Sequence, residues 1–235
     1  MSNSYDKQLN NWVNKEKSGI NLLNSVGKLM YEKGIELILF RKKLLEIGVS
    51  ELLNYVSYAN EVVNRESNIE TAESLAREML NMNLSPSKID IGLLTAEYIE
   101  GEHKEPNSFL SNKLSHIINA NTSDKKAKDV VLYGFGRIGR LAARELIKQA
   151  GVGQQLRLKA IVVRNLTEAQ IIKRADLLRT DSVHGSFKGV IKLDLSNKSI
   201  IVNGQLIKFI EGGNPEKIDY TLHGIEDSFI IYFIY

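Results

Sequence analysis

Gly134-Phe135-Gly136-Arg137-Ile138-Gly139-Arg140 is the stretch of this 235-residue sequence that decides the fold of its C-terminal half. A short apolar run at residues 130–133 precedes it, and residues 140–150 carry the apolar spacing of a helix. A second apolar run follows at residues 158–163. A strand, a glycine-rich turn, a helix and a second strand in this order predict a parallel βαβ unit whose turn binds a dinucleotide.

The glycines of this loop each meet a physical requirement. Gly134 permits the tight turn out of the strand, Gly136 lets a diphosphate approach the main chain, and Gly139 lets the helix lie close to the sheet. The N-terminus of the helix then offers N–H groups and a partial positive charge to the phosphates. The loop residues predicted to bind the cofactor are Gly134, Phe135, Gly136, Arg137, Ile138 and Gly139. The alternative interpretation is a glycine-rich turn without a ligand.

The end of the second strand indicates which dinucleotide is bound. A carboxylate at this place accepts hydrogen bonds from a ribose diol and favours NAD, whereas an arginine can hold the 2′-phosphate of NADP. The sequence has Arg164 and Asn165 there and no acidic residue. We therefore predict that both residues bind the cofactor, NAD or NADP, with relaxed or NADP-tolerant specificity. The alternative for Arg164 is a solvated charge at the end of a strand.

The rest of the C-terminal half continues the alternation of strands and helices. Residues 168–179 have the pattern of a helix, residues 190–193 and 199–202 that of a hairpin, and residues 206–210 that of a further strand. A final apolar, β-branched run occupies residues 228–235. This order predicts an α/β fold with a partial Rossmann-type parallel sheet.

The N-terminal half has a different pattern. Apolar residues recur at helical spacing through residues 1–124, including the segment 37–45, and we expect an all-α helical extension of five or six helices. Asn68 is expected to cap one of them, and Ser87 followed by Asp90 fits a capping box. Helix packing and contacts in a homo-oligomer are the functions that this pattern favours.

A polar run at residues 121–126 is typical of a linker between the two halves. We therefore predict a helical N-terminal extension over residues 1–124 and an incomplete NAD(P)-binding Rossmann-like domain over residues 125–235. The first of these ranges holds more acidic than basic residues, and the second holds more basic than acidic ones. A basic half suits a phosphate-bearing ligand. Nucleic-acid binding would rest on this charge alone, so we do not expect it.

Composition excludes several kinds of chemistry. The sequence has no cysteine, which rules out disulfides, thiolate metal sites and thiol nucleophiles within it. No metal-ligand spacing is present, and no apolar run has the length of a membrane helix. The first residues are polar and lack the apolar stretch of a secretory signal. We therefore expect a cytoplasmic protein without a metal site or a membrane partner.

Several motifs in register resemble glyceraldehyde-3-phosphate dehydrogenase. The motifs are the glycine loop at residues 134–140, Leu-Leu-Arg-Thr-Asp-Ser-Val-His-Gly-Ser-Phe-Lys-Gly at 177–189, Ile-Val-Asn-Gly at 201–204, and Asn-Pro-Glu-Lys-Ile-Asp-Tyr at 214–220. Their order and spacing agree with the family over about residues 128–231. The long helical extension resembles a bacterial subset of the family with enlarged N-termini.

The resemblance implies roles for individual residues. It implies that Arg137 and Ile138 contact the cofactor, and that Asn165 stands where many members carry the ribose-binding aspartate. Gly213 stands where many members have an arginine, which implies the loss of a contact on the adenine side. The His184 position is not that of the catalytic histidine of the family, and we expect a structural role for it.

The resemblance also implies an NAD(P)-dependent oxidoreductase of an aldehyde, active in glycolysis and glucose metabolism. The family uses a cysteine thiolate and a histidine that lie beyond residue 235, so no catalytic residue is assigned and the chain is expected to be inactive alone. The last four residues depart from the family pattern, as a truncated reading frame would produce. The alternative is a non-catalytic dinucleotide-binding or oligomerisation module.

Overall fold

The computed structural model describes residues 2–120, 127–226 and 228–232. Contacts divide the chain into two compact units. Unit 1 is Met1–Asp124 with Gly151–Gly153, and unit 2 is Lys125–Ala150 with Gln154–Tyr235. The predicted linker at 121–126 and the end of the predicted terminal strand at 233–235 lie outside the described residues. The predicted domain boundary after residue 124 stays a prediction.

Unit 1 combines helices with a small three-stranded sheet. In chain order its elements are α1 (Ser2–Lys33), β1 (Ile35–Leu39), β2 (Lys42–Lys43), α2 (Val49–Tyr58), a π-helical turn (Ala59–Val63), α3 (Ile69–Asn81), β3 (Ser87–Asp90), α4 (Ile91–Glu100) and α5 (Pro106–Lys113). The sheet has the order β2-β1-β3, in which β1 pairs antiparallel with β2 and parallel with β3. The core side chains come from all of α1 to α5 and from β1 and β3, and they include Leu22, Leu29, Leu37, Leu52, Leu75 and Met79.

The prediction of an all-α extension was therefore wrong for residues 35–43 and 87–90. Gly34 ends α1 with a φ of +69°, and the chain then alternates buried and half-buried residues through β1, which is the period of a strand. Phe40 and Arg41 take positive φ values of 43° and 71° in the turn to β2. Apolar residues on both sides of this short strand continue the helical spacing, and for that reason the sequence pattern predicted a helix here.

Two predicted helix caps have different outcomes. The Asn68 side chain accepts a hydrogen bond from the Thr71 N–H at 2.8 Å, which confirms its predicted cap at the start of α3. The predicted capping box was wrong, because Ser87 lies in β3. Asp90 is itself the N-cap of α4, and its carboxylate accepts from the Leu93 N–H at 3.1 Å.

Unit 2 is an α/β unit in which two helices pack on one face of a six-stranded sheet. Its elements are β4 (Lys128–Tyr133), α6 (Arg137–Lys148), β5 (Leu156–Val163), α7 (Glu168–Arg179), β6 (Thr180–Asp181), β7 (Gly185–Ser186), β8 (Ile191–Asp194), β9 (Ser199–Val202), β10 (Gln205–Glu211), two 3₁₀ turns (Pro215–Lys217 and Tyr220–His223) and β11 (Ser228–Tyr232). The main sheet has the order β11-β4-β5-β10-β9-β8. Its first four strands are parallel, and β9 and β8 form antiparallel pairs with their neighbours.

The two faces of this sheet are covered differently. The apolar sides of α6 and α7 pack on one face, where Val130, Leu132, Ile161 and Phe209 join the same core cluster. The other face has a smaller cluster of Val131, Ala160, Val162, Ile210 and Ile225, partly covered by the segment that holds the 3₁₀ turns. The predicted parallel Rossmann-type fold and the predicted hairpin are confirmed, and α7 begins and ends at the predicted residues.

Within the described ranges, every helix is too short or too polar to cross a lipid bilayer. Among the same residues, no three Asp, Glu or His side chains gather closely enough to hold a metal ion.

Candidate dinucleotide-binding site

The glycine loop leaves β4 by a turn that requires glycine. Gly134 has a φ of +93°, a conformation that other residues avoid, and its N–H donates to the Val162 carbonyl at 2.9 Å. The loop therefore stays attached to the end of β5 while it turns away from the sheet. Gly136, with φ −72° and ψ −164°, is the N-cap of α6, and its carbonyl accepts the first helical bond from the Arg140 N–H at 3.0 Å.

The N-terminus of α6 is open in a way that fits a diphosphate. The N-cap residue of α6 is Gly136, which has no side chain to accept a hydrogen bond. The first N–H groups of the helix therefore have no capping side-chain oxygen. Arg137 and Ile138 are exposed, Ile138 with 53% of its surface accessible. A helix start without a side-chain cap, with a cationic residue at its first position, attracts an anion. The predicted loop residues therefore lie together at this one turn.

Two of the predicted loop residues, Phe135 and Gly139, are buried in the protein interior. The Phe135 side chain is 8% exposed and packs edge-on against Phe209, with ring centroids 6.0 Å apart. Gly139 is buried in the first turn of α6. Contact of residue 135 or 139 with a ligand would therefore involve the main chain.

The other two predicted residues lie at the same edge of the sheet. Arg164 and Asn165 are exposed and directly follow β5, the strand beside β4. The segment after β10 begins with Gly212, whose N–H donates to the Val163 carbonyl at 3.0 Å. Because β4, β5 and β10 are parallel, their carboxyl ends lie along one edge. This edge brings together the glycine loop, Arg164, Asn165 and the segment 212–214.

The order of the strands reverses at this edge of the sheet. The chain passes from β4 to β5 and then to β10 in one direction, and returns to place β11 on the other side of β4. The order thus reverses at β4, next to the glycine loop. In open parallel sheets ligands bind outside the carboxyl ends of the strands at such a reversal.

A buried ionic network supports α6 just behind the loop. Arg140 donates to the Phe135 carbonyl at 3.2 Å and to Asp181 Oδ2 at 3.3 Å. Asp181 Oδ1 accepts from the backbone N–H groups of Val183 and His184, each at 3.0 Å, and lies 3.1 Å from His184 Nδ1. His184 thus takes part in a turn, which agrees with the structural role expected for it. These bonds fix the 181–185 turn to the first turn of α6.

The same bonds hold the pKa of Asp181 well below its usual range. The N–H of Val183 contributes most, followed by the N–H and the ring of His184. Asp181 side-chain exposure is only 3%, so protonation would disrupt bonds inside the unit. A depressed carboxyl pKa stabilises the fold above the ordinary carboxyl pKa of about 3.9, and this stabilisation is lost as the pH falls below that value.

We therefore expect Asp181→Asn to be less stable than the unchanged protein at pH 7 and to lose less of its stability between pH 5 and pH 3. Urea-induced unfolding at a series of pH values measures both effects. Asp176→Asn is the control, because Asp176 is an exposed carboxylate paired with Arg179 in the same helix. Equal slopes of stability against pH for the unchanged protein and Asp181→Asn would contradict the assignment.

Sequence reasoning missed Arg140, Asp181 and Tyr133 as residues that shape the site. Arg140 belongs to the quoted glycine loop, and Asp181 belongs to the quoted 177–189 motif, but their contact joins residues 41 positions apart. Tyr133 immediately precedes Gly134, and its hydroxyl donates to the Gly213 carbonyl at 2.7 Å. The sequence offered one signal for Tyr133, namely its polar hydroxyl directly beside the glycine loop.

The parallel sheet, its reversal at β4 and the glycine turn with an uncapped helix start define a dinucleotide-binding domain of the Rossmann type. The profile of the family "Glyceraldehyde 3-phosphate dehydrogenase, NAD binding domain" matches residues 128–231. Residues 128–231 are therefore similar to the NAD-binding domain of that dehydrogenase family.

Similar proteins share this domain, and one shares more of the chain. A glyceraldehyde-3-phosphate dehydrogenase-like protein of Pseudomonas aeruginosa (strain UCBPP-PA14) is 34% identical over 210 residues, which are 88% of this chain and 46% of that protein. Glyceraldehyde-3-phosphate dehydrogenases of Clostridium pasteurianum and Monascus purpureus are 33% and 36% identical over 97 residues, 41% of this chain and 26% of theirs. The chain therefore spans less than half the length of these relatives, and the similarity to the Pseudomonas protein extends well into unit 1.

Proposed function

We propose that this chain binds the ADP half of NAD across the carboxyl edge of β4 and β5. In this arrangement the diphosphate lies on the main chain of the glycine loop, and Arg164 and Asn165 contact the adenosine ribose. The proposed binding residues are Gly134, Phe135, Gly136, Arg137, Ile138, Gly139, Arg164 and Asn165. The observation that carries the proposal is the uncapped start of α6 beside the positive-φ Gly134.

We further propose that the site accepts NADP as well as NAD. The exposed guanidinium of Arg164 offers a charged partner for a 2′-phosphate. Asn165 offers an amide where a carboxylate would repel that phosphate, and its side chain remains able to bond a ribose hydroxyl. Both features favour relaxed specificity over strict use of NAD.

Calorimetric titration of the purified chain with NAD and with NADP tests this proposal. We expect both to bind with affinities within about tenfold of each other, and Arg164→Ala to weaken NADP about tenfold more than NAD, because a charge-assisted hydrogen bond is lost. Lys192→Ala is the matched control, an exposed cation on β8 at the far edge of the sheet. A strong preference for NAD that Arg164→Ala does not change would overturn the assignment of Arg164.

The activity of the whole protein is also a proposal. The names of the relatives support oxidation of a sugar-phosphate aldehyde, and the family resemblance supports a place in glucose metabolism and a cytoplasmic location. The 235 residues contain no cysteine, so we propose that they do not catalyse that thiol-dependent reaction by themselves.

A second candidate function is a non-catalytic module that binds dinucleotide and self-associates. It is favoured by α1, whose first turns expose Tyr5, Leu9 and Trp12 at helical spacing, with 67%, 46% and 47% of their surfaces accessible. The titration above separates the two candidates, because micromolar affinity favours a working module and millimolar affinity favours an incomplete enzyme portion. The mass of the chain in solution reports self-association.

A further inference from the structure

A hydrogen bond links two strand ends that are not neighbours in the sheet. The Tyr133 hydroxyl, at the end of β4, donates to the carbonyl of Gly213, just after β10, at 2.7 Å. β5 lies between β4 and β10 in the sheet. The phenol therefore reaches past the carboxyl end of β5 to the segment that follows β10.

This link borders the place where the adenosine half of a dinucleotide lies, an inference that rests on the proposed function. In this kind of fold the diphosphate lies at the loop after the first strand and the adenosine ribose at the end of the second strand. The next parallel strand beyond β5 is β10, so a base that continues in the direction from the diphosphate to the ribose would meet the segment after β10. A Cβ atom built on Gly213 would meet no atom within 4 Å, so there is open space beside this residue.

Few other contacts restrain the main chain at Gly213. The preceding Gly212 is held by its N–H on the Val163 carbonyl at 3.0 Å, and the following Asn214 caps the next turn by accepting from the Glu216 N–H at 3.0 Å. Two successive glycines have more backbone freedom than any other pair of residues. Among the residues that the structure describes, the Tyr133 hydroxyl is therefore the hydrogen-bond donor that holds the carbonyl of Gly213.

Tyr133 is itself well placed to hold this position. Its ring packs with the apolar cluster on the second face of the sheet, and the Tyr232 ring of the adjacent strand lies 5.9 Å away between centroids. We propose that Tyr133 is a positioning residue for adenine-nucleotide binding, which holds the segment 212–214 as a preformed wall beside the base. A wall ordered before binding raises affinity because its ordering does not have to occur in the complex.

Titration with ADP-ribose and with inorganic pyrophosphate tests this role in the full chain. Tyr133→Phe removes the hydroxyl and keeps the ring, so we expect ADP-ribose to bind about three- to tenfold more weakly and pyrophosphate to bind unchanged. Tyr220→Phe is the matched control, because its hydroxyl also donates to a backbone carbonyl of this unit, that of Pro215, at 3.0 Å. It should leave both affinities unchanged.

The possible results separate this role from the proposed function. Equal ADP-ribose affinity for Tyr133→Phe and the unchanged protein would overturn the role of Tyr133 alone. A parallel loss of pyrophosphate affinity would indicate general loosening of the unit and would also overturn it. Failure of the unchanged protein to bind ADP-ribose would overturn the proposed function together with this role.

Discussion

Gly136→Val should abolish dinucleotide binding while the chain stays folded. The valine side chain would occupy the space through which a diphosphate reaches the first N–H groups of α6, so we expect NAD affinity to fall by about a hundredfold or more. The backbone at this position, φ −72° and ψ −164°, is extended and accepts any residue. Loss of binding would therefore reflect blocked access to the helix start and not a misfolded loop.

A matched control lies at another helix start. Gly48 is the N-cap of α2 with φ −87° and ψ 163°, and a Cβ there would meet no atom within 4 Å. Gly48→Val therefore makes the same change in the same backbone conformation, and both variants carry a similar penalty at the N-cap. Calorimetry measures NAD affinity, and circular dichroism reports the fold of both variants. Retention of NAD affinity by Gly136→Val would refute binding at this loop.

Local sequence signals were sufficient for much of unit 2. The glycine loop is one contiguous segment between a buried strand and a helix, so neighbouring residues alone predict its turn. The bounds of α7 agree with the prediction, and the structure shows a Thr167 side-chain cap at its start and Thr180 directly after its end. Strands of near-continuous apolar residues are typical of a parallel sheet covered by helices, and β4 and β5 have this pattern.

Unit 1 gave weaker signals because its strands are short. β1 has five residues and β3 has four, and β3 contains a single buried apolar residue, Ile89. These strands form because they pair with each other across about fifty residues of sequence. The apolar residues in the flanking sequence have helical spacing, and that longer pattern predicts a helix in place of the short strands. Their pairing is a tertiary effect, which a scan of local periodicity does not detect.

The contacts that shape the binding edge are also tertiary. Tyr133 and Gly213 are 80 positions apart, and Arg140 and Asp181 are 41 apart. None of these four residues has a neighbour in sequence that indicates its partner. Their hydrogen-bond partners are set by the order of the strands in the folded sheet. The residues of the loop could therefore be predicted, whereas the residues that hold the loop and its surroundings in place could not.

Arg144 carries the largest expected effect on stability among these long-range contacts. It lies in α6 with 6% of its surface exposed, and its guanidinium donates to the Leu178 carbonyl at 2.7 and 3.2 Å and to the Gly185 carbonyl at two distances of 3.1 Å. Leu178 is in the last turn of α7, where carbonyls have no helical partner. Gly185 has a φ of +70° in the turn that follows. Arg144 thus satisfies the end of one helix and fixes the next turn.

Arg144→Met keeps most of the side-chain volume and leaves both carbonyls without this donor. Since hydrogen bonds from a charged donor are stronger than neutral ones and a buried acceptor without a partner is penalised, we expect a loss of about 3 kcal/mol in the free energy of unfolding. Urea-induced unfolding measures the loss, and hydrogen exchange over residues 168–187 localises it to α7 and the following turns. The Arg144 guanidinium also stacks over the Phe187 ring at 5.7 Å, and the methionine side chain retains part of that packing.

Lys148→Met is the matched control on the same helix. Lys148 is 43% exposed and pairs with Glu145 at 2.8 Å, three residues away, and such surface pairs contribute about 0.5 kcal/mol or less. We therefore expect Lys148→Met to unfold at nearly the same urea concentration as the unchanged protein. If Arg144→Met were as stable as Lys148→Met, the carbonyls of Leu178 and Gly185 would have to find other donors, and α7 would not depend on α6 for the end of its helix.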